Sequence, residues 1–172
     1  MLHWYKPPDT ENFICDLYQA FGINYPGEMD LDLISTIWGV DIQFYDGRPF
    51  TQWDDEGAVI MLTKGSREQD IRATFFHELC HPAKHAGNQD ELPHLFRELQ
   101  EIQAGHFQLI SAMPYYLLPE PVPLWEEYAR IIAETFKVPY ELAERRVDHI
   151  ISRMGQEYLY LRKYIPQWRV YA

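Results

Sequence analysis

Residues 75–85 read FFHELCHPAKH, and this stretch decides how the rest of the chain must be arranged. Within it, HELCH fits the pattern H-E-x-x-H. In an α-helix, residues i and i+4 share a face one turn apart, so the imidazoles of His77 and His81 can reach one zinc ion at about 2.0–2.1 Å. Glu78 lies to the side of that pair, where it can deprotonate a water molecule. The pattern therefore predicts a metal-binding helix in which Glu78 is a general base.

His85 is the nearest further histidine, but helical geometry argues against it as a third ligand. In a continuous helix its Cα atom would lie about 12 Å from that of His77, so both could not bind the same ion as His81. Pro82 also lacks the amide hydrogen that would bond to the carbonyl of Glu78. We therefore expect the helix to bend or end just after His81, with His85 beyond it.

A second helix, predicted over residues 94–112, offers the third ligand. Glu101 is the first candidate and Glu98 the second. Glu101 shares its helical face with Ala104 and Gly105, and small residues let two helices approach closely enough to share an ion. The alternative interpretation is that both carboxylates lie on a solvated face, as most helical glutamates do.

Hydrophobic periodicity outlines the other elements. It predicts helices over residues 9–21, 30–39, 124–136 and 139–155, in addition to the histidine helix from about residue 67, and strands over 40–44 and 57–62. The predicted apolar stripes contain Phe13, Leu17, Ala20 and Phe21 in the first helix, and Leu95, Leu99, Ile102 and Leu109 in the helix at 94–112. Prolines at 119, 121 and 123 predict an extended linker before the last two helices.

This outline is an α+β fold: a small β-sheet with the HExxH helix and a second ligand-bearing helix, followed by a C-terminal helical hairpin. Residues 1–123 would form the core that carries the metal. Residues 124–172 would form a helical extension packed on that core.

Composition limits the class of protein. The chain has 172 residues, of which 47% are hydrophobic and 15% aromatic, so it can bury a substantial core. Its net charge of −11 disfavours nonspecific binding to nucleic acid or anionic membranes. Two cysteines are too few for a disulfide framework. The absence of a secretory signal and of an apolar run of about 20 residues predicts a cytoplasmic protein with no membrane association.

The charge is unevenly distributed along the chain. From Arg145 onward, six basic residues stand against two acidic ones, and several tyrosines and Trp168 lie among them. A partner-docking or nucleic-acid surface is one interpretation, and the helical hairpin superficially resembles a helix-turn-helix. We favour the interpretation in which these aromatic side chains pack back onto the acidic body.

Several motifs, in order and at matching separations, resemble those of the ImmA/IrrE-type metallopeptidases. The matching positions are His77, Glu78, His81, Glu101, Ala104, Phe107, Met113 and Pro114, followed by residues 132–139, 142–143 and 146–147. The resemblance covers about residues 28–151 and implies a zincin-like fold. It implies that His77, His81 and Glu101 bind zinc and that Glu78 is the base. The chain departs from the usual pattern at Cys80, Gly105, Gln108 and residues 111–112.

Members of that family on phages and conjugative elements cleave the repressor of their own element. The resemblance therefore implies a zinc-dependent endopeptidase whose protein substrate is a transcriptional repressor, with nucleic acid not expected as a partner. The alternative is a non-catalytic zinc-containing protein that binds and regulates a repressor. The group that would polarise the scissile carbonyl stays open among His85, His94, Tyr115 and Tyr116.

Overall fold

A computed structural model describes residues 5–84 and 93–164, and the side chains of residues 5–84 and 93–159. A three-stranded sheet has the order β1-β3-β2, with β1 at Val40–Tyr45, β2 at Phe50–Trp53 and β3 at Ala58–Thr63. β1 runs parallel to β3, whereas β2 is antiparallel to it and pairs Thr51 with Ile60. β3 is therefore the central strand, and β2 is an edge strand.

The helices account for most of the described chain. They are α1 (Asp9–Ala20), α2 (Leu31–Trp38), α3 (Glu68–Glu78), α4 (Cys80–Lys84), α5 (His94–Ala112), α6 (Trp125–Phe136) and α7 (Tyr140–Tyr164), with short 3-10 turns at Pro26–Glu28 and Tyr115–Leu117. This arrangement confirms the predicted α+β class, including the histidine helix, the second helix with Glu101 and the C-terminal helical pair. Within residues 5–84 and 93–164, every helix is too short or too polar to span a lipid bilayer.

Local sequence explains where α2 begins and ends. The Asp30 carboxylate accepts hydrogen bonds from the amides of Asp32 and Leu33, which satisfies two free donors of the first turn. Gly39 ends the helix with φ at 65°, in the left-handed conformation that glycine adopts without a steric penalty. The chain then enters β1 directly.

One hydrophobic core joins the sheet, the histidine helix and the C-terminal helices. It contains Ile60 of β3, Phe75 and Phe76 of α3, Phe107 of α5, Ile132 of α6 and Val147 of α7. Arg72 of α3 is also buried, and its guanidinium donates to the carbonyls of Phe136 and Met29 at 2.9 Å each. Because Phe136 is the last residue of α6, Arg72 ties the end of that helix to α3.

The histidine helix is interrupted earlier than predicted. The regular helix ends at Glu78, Leu79 forms a turn, and α4 then continues through Pro82 to Lys84. The prediction that the helix bends or ends just after His81 was therefore wrong in position, because the interruption lies at Leu79. Proline disturbs the turn that precedes it, since its ring crowds the carbonyl four residues earlier, which is that of Glu78. Leu79 keeps nearly helical dihedral angles, with φ −59° and ψ −28°.

In two helices, the predicted apolar stripe does not match the face that is buried. In α1 the buried residues include Ile14 and Tyr18, whereas Phe13 and Phe21 are more than half exposed. In α5, Leu95, Leu99 and Ile102 are exposed, and burial is confined to the second half of the helix. Strand β2 was not predicted at all, and α7 extends nine residues beyond its predicted end.

The linker after α5 has no regular structure between Leu117 and Trp125, as its prolines predicted. It is held in place by Tyr128, whose hydroxyl donates to the carbonyl of Pro119 at 2.8 Å. His85 and most of the basic aromatic tail, including Trp168, lie outside the described residues, so the predictions about them remain predictions.

Candidate metal centre

The structure brings His77, His81 and Glu101 together. The Nε2 atom of His77 lies 3.1 Å from Oε2 of Glu101, and Nε2 of His81 lies 3.8 Å from Oε1 of the same carboxylate. One ligand atom from each residue lies within 4.8 Å of the others. His81 is buried, with 4% of its side chain exposed, whereas 55% of the Glu101 side chain is exposed. The cluster therefore opens toward solvent on the Glu101 side.

Packing between α3 and α5 sets the distance between the histidines and Glu101. One turn after Glu101, Ala104 is fully buried at this contact. Two turns after it, the Gln108 side chain donates to the carbonyl of Ala73 in α3 at 2.7 Å. Gly105 serves a different contact from the one predicted, because its open side faces the Arg145 side chain of α7. Small residues of α5 thus allow α3 to pack closely against one side of this helix and α7 against another.

Glu78 lies beside His77 but is oriented by a residue of the sheet. Its Oε2 atom accepts a hydrogen bond from the Thr51 hydroxyl at 2.9 Å. Burial raises the pKa of the Glu78 carboxyl, while the Thr51 hydrogen bond and the nearby His77 ring oppose that rise. A carboxylate with a raised pKa is better suited to accept and return a proton than an exposed one.

Strand β2 supplies two residues of the site that the sequence analysis missed. Thr51 contacts Glu78, and the indole of Trp53 stacks on the His81 imidazole with ring centroids 6.0 Å apart and an interplanar angle of 15°. The β-prone residues Phe50, Thr51 and Trp53, shortly after the turn-forming pair Asp46-Gly47, were the signal that could have revealed this strand.

A cleft of about 1100 Å³ opens in front of the cluster. Strand β2 forms one wall, and Glu78 lies with His77, His81 and Glu101 on another. Acidic side chains of Asp41, Asp54 and Glu56 also line it. The cleft is large enough to admit an extended segment of polypeptide.

The other residues weighed for this site lie elsewhere in the described structure. Glu98 faces His94, with Oε1 and Nδ1 3.6 Å apart, one turn before Glu101 on α5. The Tyr116 hydroxyl donates to the carbonyl of Ile23 at 2.7 Å, and the Tyr115 ring packs near Tyr5. Within the described part of the chain, the lining of the cleft includes none of these side chains.

Cys80 lies between the two histidines in sequence but faces the core. It is fully buried, and burial raises the pKa of its thiol to about 12. A protonated, inaccessible thiol is neither a nucleophile nor a metal ligand. Cys80 is therefore a small residue of the hydrophobic core.

The donor set fits a catalytic zinc ion. Two imidazole nitrogens and one carboxylate oxygen are a ligand combination found in catalytic zinc sites, which keep a further coordination position for water or substrate. The open Glu101 side of the cluster and the adjoining cleft are consistent with such a position. The three residues therefore have the chemistry, spacing and access that a catalytic zinc site requires.

Comparison with known proteins agrees with this arrangement. The profile of the IrrE N-terminal-like domain, family Peptidase_M78, matches residues 39–148, a range that includes the sheet, the histidine helix, α5 and α6. The chain is also 36% identical over 141 residues to the phage-like element PBSX protein XkdA of Bacillus subtilis (strain 168), a match that covers 80% of this chain and 71% of the relative. By the extent of both matches, the chain belongs to the IrrE N-terminal-like family of metallopeptidases.

Proposed function

We propose that the protein is a zinc-dependent endopeptidase that cleaves a transcriptional repressor in the cytoplasm. The observation that carries the proposal is the convergence of His77, His81 and Glu101 from two separate helices, next to Glu78 and in the wall of one cleft. Family membership supports a metallopeptidase, and the donor set favours zinc among the metals that such enzymes use.

Each residue would have a distinct role. His77, His81 and Glu101 would hold the zinc ion, which lowers the pKa of water and polarises a peptide carbonyl when it is bound. Glu78 would take the proton of the attacking water and return it to the leaving amine, and its burial favours such reversible protonation. Trp53 would restrict the orientation of the His81 ring by stacking on it.

The repressor substrate is supported by similarity. The relative from Bacillus subtilis is named as a protein of a phage-like element, and phage-borne proteins of the ImmA/IrrE type act on the repressor of their element. Cleaving such a repressor would release transcription of the genes that it silences. The cleft admits an extended segment, so we expect cleavage in an exposed loop or linker of the repressor.

The test combines metal analysis with cleavage. We expect protein purified without chelator to contain nearly stoichiometric zinc, which Glu101→Gln loses. Glu98→Gln is the matched control, because it changes the same residue type one turn away and should leave the zinc content unchanged. Zinc-free wild-type protein, or equal zinc loss in both variants, would refute the metal site.

Co-expression with a candidate repressor, chosen from any encoded beside the gene, tests the activity. We expect a discrete repressor fragment with the wild type and intact repressor with Glu78→Gln. The alternative, a regulator that binds without cleaving, predicts intact repressor bound equally well by the wild type and by Glu78→Gln. A fragment of the same size and amount with both proteins would show that Glu78 is not the base.

A further inference from the structure

The carbonyl of Glu78 lacks its normal helical partner. In a regular α-helix it would accept a hydrogen bond from the amide of residue 82, but proline has no amide hydrogen. The Thr51 hydroxyl oxygen lies 3.3 Å from this carbonyl oxygen and 2.9 Å from the Glu78 carboxylate. Thr51 is therefore placed between the main chain and the side chain of the same glutamate, next to the interruption at Leu79.

Thr51 is itself held firmly. It lies in β2, pairs with Ile60 of the central strand and is half-buried. Threonine is branched at Cβ, which restricts its χ1 angle, so the hydroxyl has little freedom to swing away. A hydroxyl has one proton, which the two acceptors share in a three-centre hydrogen bond. The shorter contact, with the carboxylate, is the stronger of the two.

We propose that Thr51 is a positioning residue that holds the Glu78 carboxylate in the orientation required of the base, and that it also supports the Glu78 carbonyl, which Pro82 leaves without an amide donor. The inference rests on the proposed function, since it assigns a role relative to Glu78 as the base. Thr51 occupies Oε2 of the carboxylate and leaves Oε1 to the reacting water. Without this donor, the carboxylate would rotate among several orientations, and only a fraction of them would be productive.

Removing the hydroxyl should slow the reaction without affecting the metal. Thr51→Val keeps the branched shape and loses the donor. With the repressor of the preceding experiment as probe, we expect kcat to fall by roughly tenfold or more, the usual range for residues that orient a metal-site group. We expect KM and zinc content to stay at wild-type values. Thr51→Ser restores the donor and should recover most of kcat.

Pro82→Ala distinguishes the effect of the Thr51 contact with the Glu78 carbonyl from the effect of its contact with the carboxylate. Alanine supplies an amide hydrogen that can satisfy the Glu78 carbonyl but does nothing for the carboxylate. We expect Thr51→Val to lower the melting temperature of the metal-free protein and the Thr51→Val/Pro82→Ala double variant to recover much of that loss. The double variant should remain as slow as Thr51→Val, because the carboxylate is still unrestrained.

Two results would overturn the inference. Wild-type kcat in Thr51→Val would show that the carboxylate needs no such support. Recovery of kcat together with the melting temperature in the double variant would show that Thr51 acts only through the carbonyl. If the proposed function itself is wrong, the result is different, because neither the wild type nor Glu78→Gln would cleave the repressor. The melting comparison would still decide whether Thr51 supports the carbonyl.

Discussion

Arg146 and Glu11 are both fully buried and form an ion pair between α7 and α1. The Arg146 guanidinium also donates to the Tyr5 hydroxyl and to the carbonyl of Met113 at 3.0 Å each. Glu11 accepts a hydrogen bond from the Tyr115 amide at 3.1 Å. The pair thus connects both ends of the described chain with the turn after α5, and each charge is compensated by several partners.

Removing one charge of this pair should be more harmful than removing both. We expect Arg146→Met to lower the free energy of unfolding by about 3–5 kcal/mol, because it leaves the Glu11 carboxylate buried without a counter-charge. Adding Glu11→Gln should recover part of the loss, since glutamine keeps an acceptor for Tyr115 without the charge. Urea denaturation of the two variants and the wild type measures this. A double variant less stable than Arg146→Met would contradict the interpretation.

His149, which contacts Arg146, makes the free energy of unfolding depend on pH. Burial, together with Arg146, His106 and Arg153, lowers its pKa to about 4. The ring nitrogen Nδ1 lies 3.0 Å from the Arg146 guanidinium, so it must accept a hydrogen bond and stay unprotonated.

The unfolded chain protonates this histidine near pH 6.5, whereas the native state does so only near pH 4. Stability from this residue is therefore complete above pH 6.5 and declines as the pH falls toward 4. We expect a loss of roughly 1 kcal/mol by pH 5, after allowance for the partial exposure of the ring. His149→Gln should remove this part of the slope in denaturation curves between pH 7.5 and 5. An unchanged slope in the variant would assign it to other groups.

At the scale of secondary structure, α6 ends on an unusual residue. Lys137 adopts the left-handed conformation, with φ at 53° and ψ at 50°, where glycine is the usual choice. Its ammonium pairs with Glu68 at 2.9 Å, but both side chains are more than half exposed, so the ion pair contributes little. The backbone penalty therefore outweighs the side-chain gain.

Lys137→Gly should stabilise the protein by about 0.5–1 kcal/mol, because glycine removes the left-handed strain at some cost in the entropy of the unfolded chain. Lys137→Ala is the control: it loses the ion pair and keeps the strain, and we expect no gain from it. Thermal or urea unfolding distinguishes the two variants. A glycine variant no more stable than the alanine variant would show that the conformation carries no net strain.

The sequence predicted which segments are helical better than it predicted which face each helix buries. Periodicity located α5 from residue 94 to 112 without error. In α1, however, the predicted stripe and the buried stripe are neighbours, and both contain large apolar residues. Tyr18 is fully buried in the common core, where its hydroxyl donates to the carbonyl of Ser111, 93 residues away, at 3.4 Å. Burial that depends on such tertiary contacts is poorly reflected in the local hydrophobic periodicity.

The residues of the candidate site likewise differ in how well the sequence predicts them. His77, Glu78 and His81 follow from local helical spacing, which any helix over these residues would satisfy. Glu101 followed from small residues on its helical face, and the structure places it rather than Glu98 beside the histidines. Thr51 could not be found in this way, because its role depends on where an unpredicted edge strand lies against the histidine helix.

At the scale of the whole molecule, the predicted division into residues 1–123 and 124–172 can be tested by truncation. The hydrophobic core is continuous across that boundary, with Tyr128, Ile132 and Phe136 among its fully buried members. We therefore expect residues 1–123 alone to lack a cooperative thermal transition by circular dichroism.

A truncation after residue 159 is the matched control. It keeps the buried residues of α6 and α7, which among the described residues end at Ile150, and we expect it to retain a cooperative transition. A cooperative transition in the 1–123 fragment would show that the C-terminal helices are an independent addition and not part of the core.

The buried pair between Glu11 and Arg146 has a consequence for how the protein is made. Glu11 and Arg146 are 135 positions apart in the sequence, so Glu11 has left the ribosome long before Arg146 is translated. Until α7 emerges, α1 cannot dock without burying an uncompensated carboxylate, and the nascent chain must keep that helix accessible to water. We therefore expect α1 to dock late in folding, only once α7 has supplied the cationic side chain of Arg146.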